Sequence, residues 1–372
     1  MVFTKSQLAM LAGAMAIAAP VAAQPAAGAP KWLTQGDKLF GKPAKNGDPD
    51  GKDPASDISG LACAPARSTG RLCLVVDDES QGAQIIILTD DRPIVGDFIR
   101  LSTLTYESKP LELDAESVAW ANGAFYVLGS HGRPRHGQGA EEQKNRARAQ
   151  ATRSLFEIRL DSDAVDPRTG KIVRPAVIRS SARLSEAISA QSELGPFFDK
   201  ALEEGGVTIE GSAVKGSTLY VGFRGPVPKT EAAVLSIPLA SLFDGNAPAR
   251  GNVQWLPLGK DTFGKARGIR DLVAVDGGYV GIAGPMKDPE DPKYVIRPGD
   301  YAVFRWSGQG LPIVRDLGGF DAGNKPEALV PLGFDGGRMR ALLLFDGPLN
   351  GAPRLIEQDF GGQGATGDAQ RP

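Results

Sequence analysis

Ile58-Ser59-Gly60-Leu61-Ala62-Cys63 is the first of five variations on one phrase. It returns as Ala-Glu-Ser-Val-Ala-Trp at 115–120, Ile-Glu-Gly-Ser-Ala-Val at 209–214, Ile-Arg-Asp-Leu-Val-Ala at 269–274 and Pro-Glu-Ala-Leu-Val-Pro at 326–331. Its second position reads Ser59, Glu116, Glu210, Arg270 and Glu327, at intervals of 57, 94, 60 and 57 residues. After a short polar or Gly-containing turn, each phrase is followed by an apolar run with a polar or Gly-rich tip, at 72–79, 125–132, 219–226, 279–285 and 342–348. A repeat of this length decides architecture before any single residue is interpreted.

Each unit carries further strand signals. Third runs stand at 83–88, 154–160, 233–238, 301–306 and 354–359, and weaker fourth runs at 98–102, 176–180, 253–258 and 312–317. Short β-branched and aromatic runs between Gly, Pro, Asp and Asn clusters are strand-and-turn chemistry. Four antiparallel strands per unit make a propeller blade. The expectation is an all-β chain, a β-propeller of four-stranded antiparallel blades, with five blades. Six is the alternative if the irregular stretch at 182–206 hides a degenerate blade. The last unit lacks a fourth run, and Trp-Leu-Thr-Gln-Gly-Asp-Lys-Leu-Phe at 32–40 could supply it and close the ring.

The N-terminus reads as an export signal. Lys5 precedes a short Ala-rich apolar core from Leu8 to Ala19, and Val21-Ala22-Ala23 offers small residues for cleavage. This divides the chain into a signal peptide (1–23), a linker with the ring-closing strand (24–55), the propeller (56–360) and a disordered tail (361–372). No later stretch reaches the ~18 apolar residues of a membrane span. A periplasmic or secreted protein without a transmembrane anchor follows. The formal net charge of −2 argues against nucleic acid as main partner. The basic run from Lys144 to Arg153 reads as a solvated loop insertion. Cys63 and Cys73 are the only cysteines and fall on consecutive strands. In an exported chain a cross-strand disulfide is the favoured reading, and two buried thiols the alternative.

In a propeller the first strand of each blade lines the central channel and the second runs back beside it. The start of one and the end of the other therefore share a channel mouth. The inner ring there is Ser59, Glu116, Glu210, Arg270 with Asp271, and Glu327. The outer ring includes Asp78, Ser130, His131, Arg224 and Asp346. Converging carboxylates repel unless compensated. Arg224 and Arg270 are one compensation, and bound calcium or magnesium the other, since hard cations prefer carboxylate oxygen. Without either, one carboxylate is held protonated and becomes a general acid.

Two functions fit. One is a hydrolase of an anionic ester or phosphoester, metal-assisted or not. Glu116, Glu210, Glu327 and His131 would be its catalytic groups, and Arg224, Arg270, Asp271, Asp78 and Asp346 its substrate-binding groups. The other is a non-catalytic propeller that binds a small anionic molecule or a protein at the same mouth. A third option stands beside both: each repeated Glu is a staple to the backbone of the next blade.

The strings quoted above, in order from 56 to 348, resemble the bacterial domain-of-unknown-function family 3616. Ser130-His131, Gly222-Phe223-Arg224-Gly225-Pro226 and Gly268-Ile269-Arg270-Asp271 are the more specific parts. The resemblance implies a propeller and no established activity. Ser117 departs from it, standing where that family more usually has Gly. The elements at 59–61 and 114–117 are also similar to the phytase-like propellers described as esterase-like. The inner-strand Glu theme is similar to calcium-dependent lactonase propellers, which hold calcium with Glu, Asn and Asp. Arg270 in the ring, and the lack of an Asn, depart from that calcium set.

Overall fold

The computed structural model describes residues 39–43, 52–89, 93–134, 140–161, 163–245, 248–289 and 293–361. Five antiparallel sheets follow one another along the chain and form a five-bladed β-propeller. Their inner strands are Ile58–Cys63, Ala115–Ala121, Thr208–Lys215, Arg267–Val275 and Lys325–Asp335. Each inner strand touches the next, and the fifth touches the first, so the ring is closed.

The core consists of one apolar cluster between each pair of neighbouring blades. This follows from the two-residue period of a strand. On the second strand of blade one, Arg71–Asp77, Leu74 and Val76 face blade two, while Cys73 and Val75 face blade five. On the second strand of blade two, Ala124–Gly129, Phe125 and Val127 pack toward blade one, and Tyr126 and Leu128 toward blade three. Both faces of these strands are covered, which is why they read as continuous apolar runs rather than alternating ones. Inner strands of adjacent blades pack so closely that two phrase positions need glycine. A Cβ on Gly60 would stand 3.0 Å from Ser117 Cα, and one on Gly211 would stand 2.9 Å from Leu272 N.

Blades one to four have four strands, and the fifth has three among the described residues. The proposed ring-closing segment lies outside the described residues except at its end. There Phe40–Pro43 pairs with Lys52–Pro54. The signal segment and the tail after Gly361 also lie outside them.

The stretch 182–206 is no sixth blade. It holds a helix, Arg183–Ser189, and two 3-10 turns, which pack on blades two and three. The basic run is not a loop either. Ala140–Thr152 is a helix, since Ala, Arg, Gln and Lys are good helix formers and Glu141 and Glu142 face its positive N-terminal end. Cys63 and Cys73 sit directly opposite each other in blade one and form a disulfide. Among the described residues no helix is long and apolar enough to cross a membrane.

Candidate functional site at the channel mouth

The second phrase position has one structural property in all five blades. Ser59, Glu116, Glu210, Arg270 and Glu327 each sit at a register shift and face no partner on the adjacent strand. Each is the extra residue of a β-bulge, and a bulge re-aims a side chain that regular pairing would send into a blade interface. The repeat therefore encodes five side chains turned to one mouth. Blade three adds a second shift at Thr208, which leaves Arg224 unpaired and aims it at the same place.

Blades three to five build a neutralised half. Glu210, Arg270 and Glu327 are buried, at 1 %, 0 % and 3 % exposure. Arg224 Nη1 donates to Glu210 Oε1 at 2.8 Å, and its Nη2 lies 3.0 Å from Asp288 Oδ1. Arg270 Nε stands 2.8 Å from Glu210 Oε2 without hydrogen-bond alignment, and its Nη2 pairs with Glu327 Oε1. Lys325 pairs with Asp346 and approaches Asp288 Oδ2 at 3.4 Å. Burial opposes ionisation of Asp288, but Arg270, Arg224 and Lys325 outweigh it and hold its carboxyl well below the usual range. Burial likewise opposes charge on Arg224, and Glu210 and Asp288 reverse this.

Blades one and two build the opposite. Carboxylate oxygens of Asp78, Asp114 and Glu116 lie within 4.8 Å of one another, as do those of Asp57, Asp77 and Asp78, and those of Glu116, Glu210 and Glu327. The three groups overlap into one acidic track across the mouth. Asp78, Asp114 and Glu116 have no ion pair among the described residues. Glu116 is 9 % exposed and has no hydrogen-bond partner there, and Asp78 Oδ1 is buried without one. Burial, reinforced by Asp114 and Glu210, pushes the Glu116 carboxyl well above its usual range. Burial and the charges of Glu116 and Asp114 do the same to Asp78. Burial raises Asp114 to about 6 against a lowering hydrogen bond from the Ser130 hydroxyl.

Asp114 and Glu116 open into a cavity of about 310 Å³ between blades two and three, which Ser130, Thr208, Arg133, Arg148 and Arg224 also line. Asp114, which lines it, and His131, buried behind it, have φ of 52° and 56°. Non-glycine residues in the left-handed region are uncommon and gather at functional sites.

Residues 66–351 match the family described as "Protein of unknown function (DUF3616)". The chain belongs to the DUF3616 family. No curated protein matches it. Among solved structures, this DUF3616 protein is similar to the N-terminal domain of Nup159, at 10 % identity and TM-score 0.31 over 83 % of this chain and 63 % of that one. A luciferin-regenerating enzyme aligns at 9 % identity and TM-score 0.34, over 83 % and 94 %. An endo-arabinase from Bacteroides thetaiotaomicron aligns at 10 % and 0.38, over 87 % and 99 %. Likenesses this distant carry no functional argument.

In the DUF3616 propeller the phrase residues and their neighbours land unevenly. Glu116, Glu210, Glu327, Arg224, Arg270, Asp78 and Asp346 meet at the mouth. Asp271 does not join them. It is buried and accepts 2.7 Å hydrogen bonds from Leu272 N and Leu329 N, stapling blade four to blade five. The backbone staple that stood as the third option for the glutamates is made in blade four by Asp271, the neighbour of Arg270. His131 is also turned away. It is fully buried behind the lip, with Nδ1 3.0 Å from Gly129 O, and burial drops its pKa to about 4. Asp57, Asp114, Asp288, Lys325 and Arg148 join the site unannounced by the phrase. Asp57, Asp114 and Lys325 stand one or two residues before a phrase position, which is a readable signal. Asp288 and Arg148 lie in a loop and an inserted helix and have none.

Proposed function

We propose that the mouth holds a hard divalent cation, calcium or magnesium, on Asp78, Asp114 and Glu116, and serves hydrolysis of an anionic ester or phosphoester. One observation carries this: Glu116 is buried, unpartnered among the described residues, and lines a cavity together with Asp114, with an Asp78 carboxylate oxygen within 4.8 Å of both. A buried charge without a counter-ion is costly, and oxygen-rich carboxylate sets are what calcium and magnesium select. The donor set fits such an ion. When bound, it polarises an ester or phosphoryl oxygen.

The remaining roles belong to the chain. Ser130 Oγ donates to Asp114 Oδ2 and orients it. Glu210 and Asp288 fix the Arg224 guanidinium, whose remaining N–H groups, with Arg133 and Arg148 on the cavity wall, suit a bound anion. His131 has no part in this reading, because it does not line the cavity. An extracytoplasmic setting, periplasmic or secreted, goes with it, supported by the Cys63–Cys73 disulfide.

The test is calorimetric titration of EDTA-treated protein with calcium and magnesium. A panel of phosphoesters, lactones and carboxylic esters is then assayed with and without the bound ion. Cation-dependent turnover, lost in a folded Glu116→Gln protein, is the expected result. Absence of cation binding sinks the reading. Cation binding with no turnover across the panel leaves a ligand-binding mouth instead of an enzyme.

A further inference from the structure

The other end of the channel is chemically unlike the mouth. There the far halves of all five inner strands enclose a cup of about 720 Å³. Leu61, Val118, Val214 and Val330 border it but are buried in the packing between blades, and the large apolar side chains that it leaves at least partly exposed are Trp120, Val273, Val275, Leu332 and Phe334. Ser212 also lines it, and its hydroxyl is taken by Ser117. Trp120 and Phe334 stand at the cup, and Phe334 leaves 40 % of its surface exposed.

The two arginines of the cup differ. Arg71 Nη1 and Nη2 are spent on Pro331 O and Leu332 O at 3.1 Å, joining blade one to blade five. Arg305 has no ion-pair or hydrogen-bond partner among the described residues. Its guanidinium rests over the Phe334 ring at 5.3 Å. An apolar cup within the volume range of small-molecule sites, with a few convergent polar groups, is the general form of a ligand pocket.

We infer that this cup binds a small amphipathic carboxylate, its hydrocarbon body against Trp120, Val273 and Phe334 and its anionic head on Arg305. The body replaces water on the apolar side chains that the cup leaves partly exposed. The head meets a guanidinium with no ion-pair or hydrogen-bond partner among the described residues, resting over the Phe334 ring. The site is separate from the acidic mouth and does not depend on what the mouth does.

Dodecanoate, dodecanol and dodecyltrimethylammonium are the probes, followed by calorimetry and by quenching of tryptophan fluorescence. Saturable binding of one dodecanoate per chain is expected, with dodecanol weaker and the ammonium weakest. Arg305→Gln should weaken dodecanoate about tenfold and leave dodecanol unchanged. Val273→Asp should abolish both, while Glu116→Gln changes neither. Should Val273→Asp not fold, Phe334→Ala is read in its place, with a several-fold loss expected. No saturable binding of dodecanoate, or binding that Arg305→Gln and the cup variants leave untouched, overturns the inference.

Discussion

The two halves of the mouth are built on the same bulged phrase and solve the same problem in opposite ways. In blades three to five, buried Glu210 and Glu327 face Arg270, and Asp288 ties Arg224, Arg270 and Lys325 together. In blades one and two, Asp78, Asp114 and Glu116 converge without an ion pair among the described residues. The first half is a closed ion-pair network, which a protein can keep for structure alone. The second is an incomplete one: burial raises its carboxylates, and the lowering pull of Arg224 on Asp114 and of Arg224 and Arg270 on Glu116 does not offset it. Clusters of carboxylates with raised pKa in a cleft are where function is sought first. The difference teaches that a repeated Glu has no fixed role: the partner supplied at the next blade decides it.

Arg270→Met gives the largest expected effect. It removes the central cation of the closed half and leaves Glu210 and Glu327 buried without it, which costs about 3–5 kcal/mol in comparable networks. Urea unfolding should show a much lower midpoint, and a midpoint within experimental error of wild type would mean the network is not structural. Glu116→Gln is the counterpart in the open half. It relieves repulsion, so stability should stay level or rise by on the order of 1 kcal/mol. Cation affinity should fall at least tenfold. A Glu116→Gln protein as destabilised as Arg270→Met would erase the distinction between the halves.

The sequence carried the distinction only partly. The five-bladed ring, the strands of each blade and the disulfide followed from apolar runs and turn residues, because strand period and turn chemistry are local properties. The bulge was visible only as a repeated polar residue inside an apolar phrase. Which glutamate meets an arginine was not legible, because Arg270 reaches Glu210 of one neighbour and Glu327 of the other across blade interfaces. Asp288 and Arg148 arrive from a loop and a helix with no repeat to mark them. His131 misled because its place in the outer ring beside Ser130 points it to the mouth, whereas its side chain is buried and its backbone N–H donates to Thr152 O at the end of the helix Ala140–Thr152.

pH should separate the halves by sign in cation-free protein. Burial raises Asp77 to about 7 and Asp114 to about 6, from an ordinary 3.8. Between these values the native state binds more protons than the unfolded chain, so this contribution is full below pH ~4 and is lost as pH rises through 6 and 7. Asp288 is shifted the other way, and its contribution is kept above the ordinary carboxylate range and lost in acid. Unfolding midpoints in EDTA should therefore decline from pH 5 to pH 8, and added calcium should flatten that decline. An increase from pH 5 to pH 8 in EDTA would show that the open half is compensated after all.

The smallest effect is expected at His131→Gln, the sharpest check on where the open half ends. His131 belongs to the same blade as Glu116 and stands beside Ser130, which orients Asp114. Yet its ring is enclosed, holds Gly129 O, and is neutral at pH 7, because burial lowers its pKa to about 4. Glutamine can donate to the same carbonyl, so a loss of about 1 kcal/mol in stability is the most that packing predicts. Cation affinity and any turnover should stay within twofold of wild type. A larger drop in affinity would mean the backbone at Ser130 and His131, held at its left-handed φ by the buried ring, is what keeps Asp114 in place. The open half would then extend behind the lip to the helix end at Thr152 that holds His131 N.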